Sequence, residues 1–393
     1  MRLLYAFPVP ILLAFLSFTA KSCCALAPMR ENAELSLDSH KMGSSQSPSA
    51  VTARSGTSRP EKSPWKRAQR CNGYTELCDR KYSNITMVAA HNSPFIQLAN
   101  MASNQIYDVV TQLNDGIRML QFQTHYLQQS IYLCHTSCEL LNAGLLDTYL
   151  AAVTKWLQQN PNEVVTILMG NYDRIHPENY TVPILNSGLI DYVYKPPKTP
   201  MTRADWPTLS DLIHTNKRAI VFLDYEANQA EVQYILDEFS QVWETPFSPT
   251  DRHFPCGIQR PPGLSADDAK NRMYIANHNL NMDISLAGVD ILLPDNLLLP
   301  VTNADSGYGS LGSMAENCTL LWGTPPNFLL VDYYNFGNFQ GSVFRVAATM
   351  NHVTYNGHCC GTNNSSASRL AFEGTLMGTL LEAAIVSMVV MSV

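Results

Sequence analysis

Two histidines of the 393-residue chain are set apart by what surrounds them. His91 is followed by Asn92 and closes the apolar run Ile85-Thr-Met-Val-Ala-Ala90. His135 lies inside Cys134-His-Thr-Ser-Cys138, where a bond between the two cysteines would close a five-residue loop and hold the ring in place. Imidazole titrates near neutral pH, so two rings facing one another can serve as general base and general acid. A carboxylate on the far nitrogen of the base fixes its tautomer and stabilises the imidazolium. Asp332, at the end of Asn327-Phe-Leu-Leu-Val-Asp332, can supply that carboxylate. Gln121 and Gln123, Asn171 and Asp173, Asp224, and Asn277-His278-Asn279 close other apolar runs in the same manner. A metal site built on Cys134, His135 and Cys138 is disfavoured, because an oxidising compartment turns thiolates into disulfides.

The runs leading to these residues read as strands: 85–90, 116–123, 130–134, 163–169, 218–224, 272–277 and 327–334. They are nearly unbroken in apolar character, as strands buried on both faces must be. Two segments between them carry helical spacing. Residues 145–159 place Leu146, Leu150, Val153 and Leu157 on one stripe, and residues 230–243 do so with Val232, Ile235, Phe239 and Val242. Strand–helix alternation predicts a parallel sheet. Seven or eight strands in about 290 residues favour a closed (β/α)8 barrel, an α/β fold, over an open doubly wound sheet. No G-x-G-x-x-G or P-loop follows any strand, so the usual nucleotide signature of an open sheet is missing. In a barrel the C-terminal strand ends converge on one mouth, and His91 and His135 are expected to open into it.

The residues also carry a resemblance. Val88-Ala-Ala-His91-Asn92-Ser, Gly116-Ile-Arg118-Met-Leu-Gln121-Phe-Gln123 and Leu133-Cys-His135-Thr resemble the phosphatidylinositol-specific phospholipase C X-type barrel, nearest to its secreted fungal branch of PLC-like phosphodiesterases. Asn162-Glu-Val-Val-Thr, Trp206-Pro-Thr-Leu, Asn277-His-Asn-Leu-Asn281 and Asn327-Phe-Leu-Leu-Val-Asp332-Tyr-Tyr fit that branch too, and the likeness spans roughly 71–360. It implies a phosphodiesterase in which His91 takes the proton from the inositol 2-hydroxyl, that oxygen attacks phosphorus, and His135 protonates the leaving alcohol. Asp332 would orient the base, and Asn92, Gln121, Gln123, Asn277 and Asp224 would contact substrate. Calcium-dependent members carry E-x-D on the second strand and metal-free bacterial members carry D-x-R; here the pair is Gln121 and Gln123. Neutral amides are poor ligands for a hard cation, so neither metal nor cofactor is expected. Amides also cannot neutralise a phosphoryl transition state as a cation does. Arg118 precedes the pair and is expected to brace the barrel. An inert surface barrel that binds a ligand is therefore the alternative reading.

The two ends read as addresses. Arg2, the apolar run Leu3–Phe18 and the small residues Ala20, Ala25 and Ala27 describe a signal peptide over 1–27. Residues 28–67 form a Ser/Pro-rich propeptide or linker ending at Lys66-Arg67, and 68–360 is the barrel. Residues 361–393 hold a polar spacer and the apolar tail Leu376–Val393, broken by Glu382; with Asn364 as attachment residue they resemble a GPI signal. The expectation is a secreted or surface-anchored protein.

Cysteine usage agrees with that compartment. The short spacings predict Cys71–Cys78 and Cys134–Cys138, and adjacent Cys359 and Cys360 are expected to pair with Cys256 and Cys318 in an order left open. Sequons stand at Asn84, Asn179, Asn317, Asn363 and Asn364. The net charge is −7, and residues 71–364 hold 15 Lys+Arg against 27 Asp+Glu. That balance argues against a nucleic-acid partner and offers no basic patch for anionic lipid. A monomer acting on a phosphodiester is expected, either a phosphoinositide or a glycan-linked phosphate.

Overall fold

The apolar runs become strands because each buries both faces. In a computed structural model, which describes residues 69–96, 100–286, 289–357 and 359–361, six of these runs and two shorter segments form eight parallel strands. They are β1 (Met87–Ala90), β2 (Met119–Leu127), β3 (Val165–Asn171), β4 (Ala219–Leu223), β5 (Leu236–Asp237), β6 (Val242–Glu244), β7 (Met273–Asn277) and β8 (Phe328–Val331). Their spatial order follows the chain, and β8 pairs with both β7 and β1, so the sheet curls round on itself as a (β/α)8-type barrel. One seam stays open among the described residues: β5 and β6 share no ladder. The signal peptide, the Ser/Pro segment, the tail, Asn363 and Asn364 lie outside the described residues.

Strand period decides what faces inward. Met87 and Ala89 of β1, Met119 of β2, Ile220 and Phe222 of β4, Met273 and Ile275 of β7, and Phe328 and Leu330 of β8 share one cluster, the barrel interior. Their neighbours Val88, Ala90, Leu120, Val221, Ala276, Leu329 and Val331 join the second cluster, which packs under the helices. Side chains alternate faces with a period of two. Continued by one step, the inward register reaches His91, Gln121, Asp224, Asn277 and Asp332. One alternation thus fills the interior with apolar groups and crowns it with polar ones.

Among the helices on the outer layer are α1 (Val109–Asp115), α2 (Leu146–Gln159), α3 (Leu311–Trp322) and α4 (Ser342–Met350). α2 buries the expected stripe of Leu146, Leu150, Val153 and Leu157. Two expectations about elements are corrected. The run 130–134 is a strand but not a barrel strand: β2 overshoots the mouth, and Ser130–Cys134 returns antiparallel to it. The span 230–243 is not one helix, but contains β5, a single helical turn at Glu238–Gln241, and β6. Its buried Val232, Ile235 and Val242 mimic a helical stripe, and strands of two and three residues carry too little pattern to oppose that reading.

The disulfides Cys71–Cys78 and Cys134–Cys138 form as their spacing predicts. The other expectation is overturned. Cys256 bonds Cys318, which α3 carries to a Cα–Cα distance of 5.3 Å, and the neighbours Cys359 and Cys360 bond each other across a cis peptide. Among the described residues no helix is long and apolar enough to cross a membrane.

Candidate active site

His91 leaves the end of β1 with its backbone N–H on the Val331 carbonyl of β8, 3.0 Å away. The same register sets Asp332 beside it, and His91 Nδ1 lies 2.7 Å from Asp332 Oδ1. A carboxylate oxygen only accepts, so Nδ1 donates, and Nε2 has no partner among the described residues. Both side chains are buried, Asp332 to 2% exposure.

His135 arrives from a different direction. The returning strand Ser130–Cys134 delivers it to the same mouth, and the Cys134–Cys138 loop follows at once. Its Nδ1 lies 2.7 Å from the Ala102 carbonyl, its Nε2 lies 3.1 Å from Asn92 Nδ2, and its ring stacks on Phe95 at 5.0 Å. Burial, and then the neighbouring His91, pull its pKa down to about 4.

The two glutamines tie the histidine turns to β2. Gln121 Oε1 accepts the backbone N–H of Asn92 at 3.0 Å, and Gln123 Oε1 accepts that of Thr136 at 3.2 Å. Each therefore holds the residue after a histidine, and its NH2 group has no acceptor among the described residues. The turns need holding: Asn92 (φ 49°), Thr136 (φ 62°) and Tyr333 (φ 44°) follow His91, His135 and Asp332, and all three are non-glycine residues in the left-handed region. Such conformations cost free energy and persist where surrounding contacts enforce them, commonly at functional sites.

Asp224 and Asn277 crown the same barrel interior but are not bonded to the histidines. Asp224 Oδ1 accepts the Asn171 N–H at 2.7 Å, and its other oxygen lies 3.6 Å from Arg260. Burial pushes its pKa up to about 6. Asn277 gives its NH2 to Glu244 and to the Thr245 carbonyl, both at 2.9 Å. Arg260 also pairs with Glu244 at 3.2 Å and meets the Tyr225 hydroxyl at 3.0 Å. The mouth thus has two parts, a histidine–amide set on β1, β2 and β8 and an arginine–carboxylate set on β4, β6 and β7.

Arg118 is at the opposite end of the barrel, just before β2. It bonds Glu163 and the carbonyls of Leu113 and Ile117, so it braces the fold as expected. No lysine or arginine among the described residues hydrogen-bonds His91, His135 or Asp332. Two groups of described side chains are spaced to hold a metal ion, and neither lies in the histidine set: exposed His176, Glu178 and Glu231, and Asp115 with the disulfide-bonded Cys359 and Cys360. His278 is structural. It is 1% exposed, with Nε2 donating to the Thr302 carbonyl at 2.8 Å and its ring 3.7 Å from that of Phe254.

A family model described as PI-PLC X 1 matches residues 77–351. The chain belongs to the PI-PLC X family. A relative from Arthroderma benhamiae named "Uncharacterized secreted protein" is 63% identical over 79% of this chain and 70% of its own. A second from that organism, "PI-PLC X domain-containing protein 1", is 42% identical over 72% of this chain and 89% of its own. A phosphatidylinositol-specific phospholipase C from Listeria monocytogenes is similar at 14% identity and a TM-score of 0.47, covering 70% of this chain and 95% of that one.

What sequence reading misses in this PI-PLC X chain is the segment after β1. Ala102 holds His135. Asn104 Nδ2 reaches Asp332 Oδ1 at 2.9 Å, and Asn104 Oδ1 lies 3.1 Å from Asn92 Nδ2. Gln105 Nε2 bridges the carbonyls of His91 and Val331 at 2.8 and 3.0 Å. The adjacent amides Asn104-Gln105 are the available signal, and amides in a loop ordinarily read as solvated turn residues.

Proposed function

We propose that the chain is a secreted phosphoric diester hydrolase that works with His91 as general base and His135 as general acid, without calcium. The observation that carries this reading is the His91–Asp332 pair at 2.7 Å, with His91 Nε2 unpartnered among the described residues and in the same mouth as His135. His91 Nε2 takes the proton of an attacking hydroxyl, whose oxygen forms a bond to phosphorus. The bond from phosphorus to the leaving oxygen breaks, and that oxygen receives the proton carried by His135. The bound phosphodiester anion favours a charged imidazole, which offsets the burial that keeps His135 neutral in the free protein. Gln121 and Gln123 turn NH2 groups toward phosphoryl oxygens, as neutral donors where relatives use a cation. The substrate is a phosphoinositide or a glycan-linked phosphate, and the protein is held outside the cell by a glycolipid at its C-terminal end.

The test is hydrolysis of phosphatidylinositol and of soluble inositol phosphodiesters by the purified secreted protein, with calcium or with EDTA. Turnover that His91→Ala and His135→Ala each abolish supports the reading. No turnover of any phosphodiester sinks it, and an inert binding barrel becomes the better account. That second reading draws on the absence of a cation bonded to the histidines among the described residues.

A further inference from the structure

We infer that Asn104 is a positioning residue that sets the protonation state of His135, through a one-way chain of amides from Asp332, which itself holds His91. The inference rests on the two-histidine reading above and adds how the two rings are kept in opposite roles. It follows from donor and acceptor chemistry at each link.

A carboxylate oxygen cannot donate. The atom of Asn104 that lies 2.9 Å from Asp332 Oδ1 must therefore be its NH2 nitrogen. That choice turns Asn104 Oδ1 toward Asn92. An amide oxygen cannot donate either, so Asn92 presents its own NH2 nitrogen at 3.1 Å. The second hydrogen of that NH2 points at His135 Nε2, also 3.1 Å away. An NH2 group cannot accept, so His135 Nε2 is bare. The Ala102 carbonyl, 2.7 Å from Nδ1, requires that the proton sit on Nδ1. One carboxylate thus fixes His91 directly and His135 through two amides. Hydrogen positions along the amides follow from the donor and acceptor chemistry of the network.

The charged groups acting on His135 are His91 and Asp332, and the burial of the ring disfavours its charged form as the chain does. Asn92 Oδ1, by contrast, is buried and has no partner among the described residues. If the Asn92 amide turned over, that oxygen would face His135 Nε2 and accept a proton from it. Asn104 is what prevents the turn in the resting site. Loading His135 with a proton therefore requires the chain to yield, which ties the acid's readiness to something entering the mouth.

The experiment reads the rings themselves. The full secreted chain, labelled with 15N-histidine, is followed by long-range imidazole NMR from pH 4 to 8. The wild type is expected to show His135 protonated at Nδ1 and bare at Nε2 throughout the neutral range. In Asn104→Leu the Asn92 amide is released. His135 should then keep its Nδ1 proton and take a second proton at Nε2 more readily, so its midpoint should rise by at least one pH unit, a tenfold gain in proton affinity. In Asn92→Asp a carboxylate faces Nε2 and the rise should be larger. A wild-type His135 already protonated at Nε2 overturns the inference, as does an Asn104→Leu spectrum with an unchanged midpoint. If Asn104→Leu does not fold, Asn92→Asp decides, and an unmoved midpoint there overturns it. These readouts need no turnover, so a protein without phosphodiesterase activity defeats the proposed function and leaves this inference standing or falling by itself.

Discussion

Gln121 Oε1 sits 3.0 Å from the backbone nitrogen of Asn92, so a side chain of β2 clamps the turn that carries His91. The contact uses only the oxygen of the amide. Gln121→Glu keeps the acceptor and loses the donor. It should fold with an unchanged melting temperature, yet lose about 10²–10³-fold in kcat on a phosphodiester, the range associated with one donor to a developing anion. Gln121→Leu loses both roles and should also lose about 1–3 kcal/mol of stability, because the Asn92 N–H is left buried without a partner. A Gln121→Glu protein with undiminished kcat would remove the donor role.

Calcium should be irrelevant to the wild type. Gln121 and Gln123 spend their oxygens on backbone N–H groups, and hard cations select carboxylates. Activity should be the same in EDTA and in millimolar calcium. Loss in chelator and recovery on adding calcium would contradict the site as drawn.

Asp332 holds both His91 and Asn104 through a single oxygen. Asp332→Asn is nearly isosteric, but it places an amide where two donors converge. The expected result is a fall in kcat of about 10²–10⁴-fold, the span of one well-placed acid–base partner, with KM changed far less. A loss confined to KM would mean that Asp332 serves binding instead.

Stability should fall on acidification. Burial holds His278 at a pKa of about 3 and His135 at about 4, below the ordinary histidine value of 6.5. Between pH 6.5 and those values the unfolded chain binds protons that the folded chain refuses, so each histidine destabilises the fold as pH drops through that window. Asp224 acts the other way. Its folded pKa of about 6 lies above its ordinary 3.8, so its stabilising share is lost as pH rises from 4 to 6. Each proton is worth about 1.4 kcal/mol per pH unit. Urea melts of His278→Gln should show a shallower decline between pH 6.5 and 4 than the wild type, by about one proton. An identical slope would show that His278 titrates normally.

Anchoring is open to a direct measurement. If the tail Leu376–Val393 is exchanged for a glycolipid, a GPI-cleaving phospholipase should release the protein from intact cells. Retention until detergent is added points to a spanning segment instead, and free secretion means the tail anchors nothing.

Strand alternation by itself determined much of this protein. Inward positions two residues apart along apolar runs put His91, Gln121, Asp224, Asn277 and Asp332 at one end of one barrel, and that follows from the period of a β-strand. The pairs Cys71–Cys78 and Cys134–Cys138 were equally legible, since separations of 7 and 4 residues leave little choice of partner. Only the tertiary structure decided that Cys256 takes Cys318, 62 residues away. It also decided that Asp224 and Asn277 serve Arg260 and Glu244, and that β5 and β6 replace an expected helix. Asn104 shows the reason most plainly. Its partner Asp332 is 228 residues distant, and which end of an amide faces which neighbour depends on groups brought together across the barrel. Periodicity records which face a residue is on, but carries no information about what meets it there.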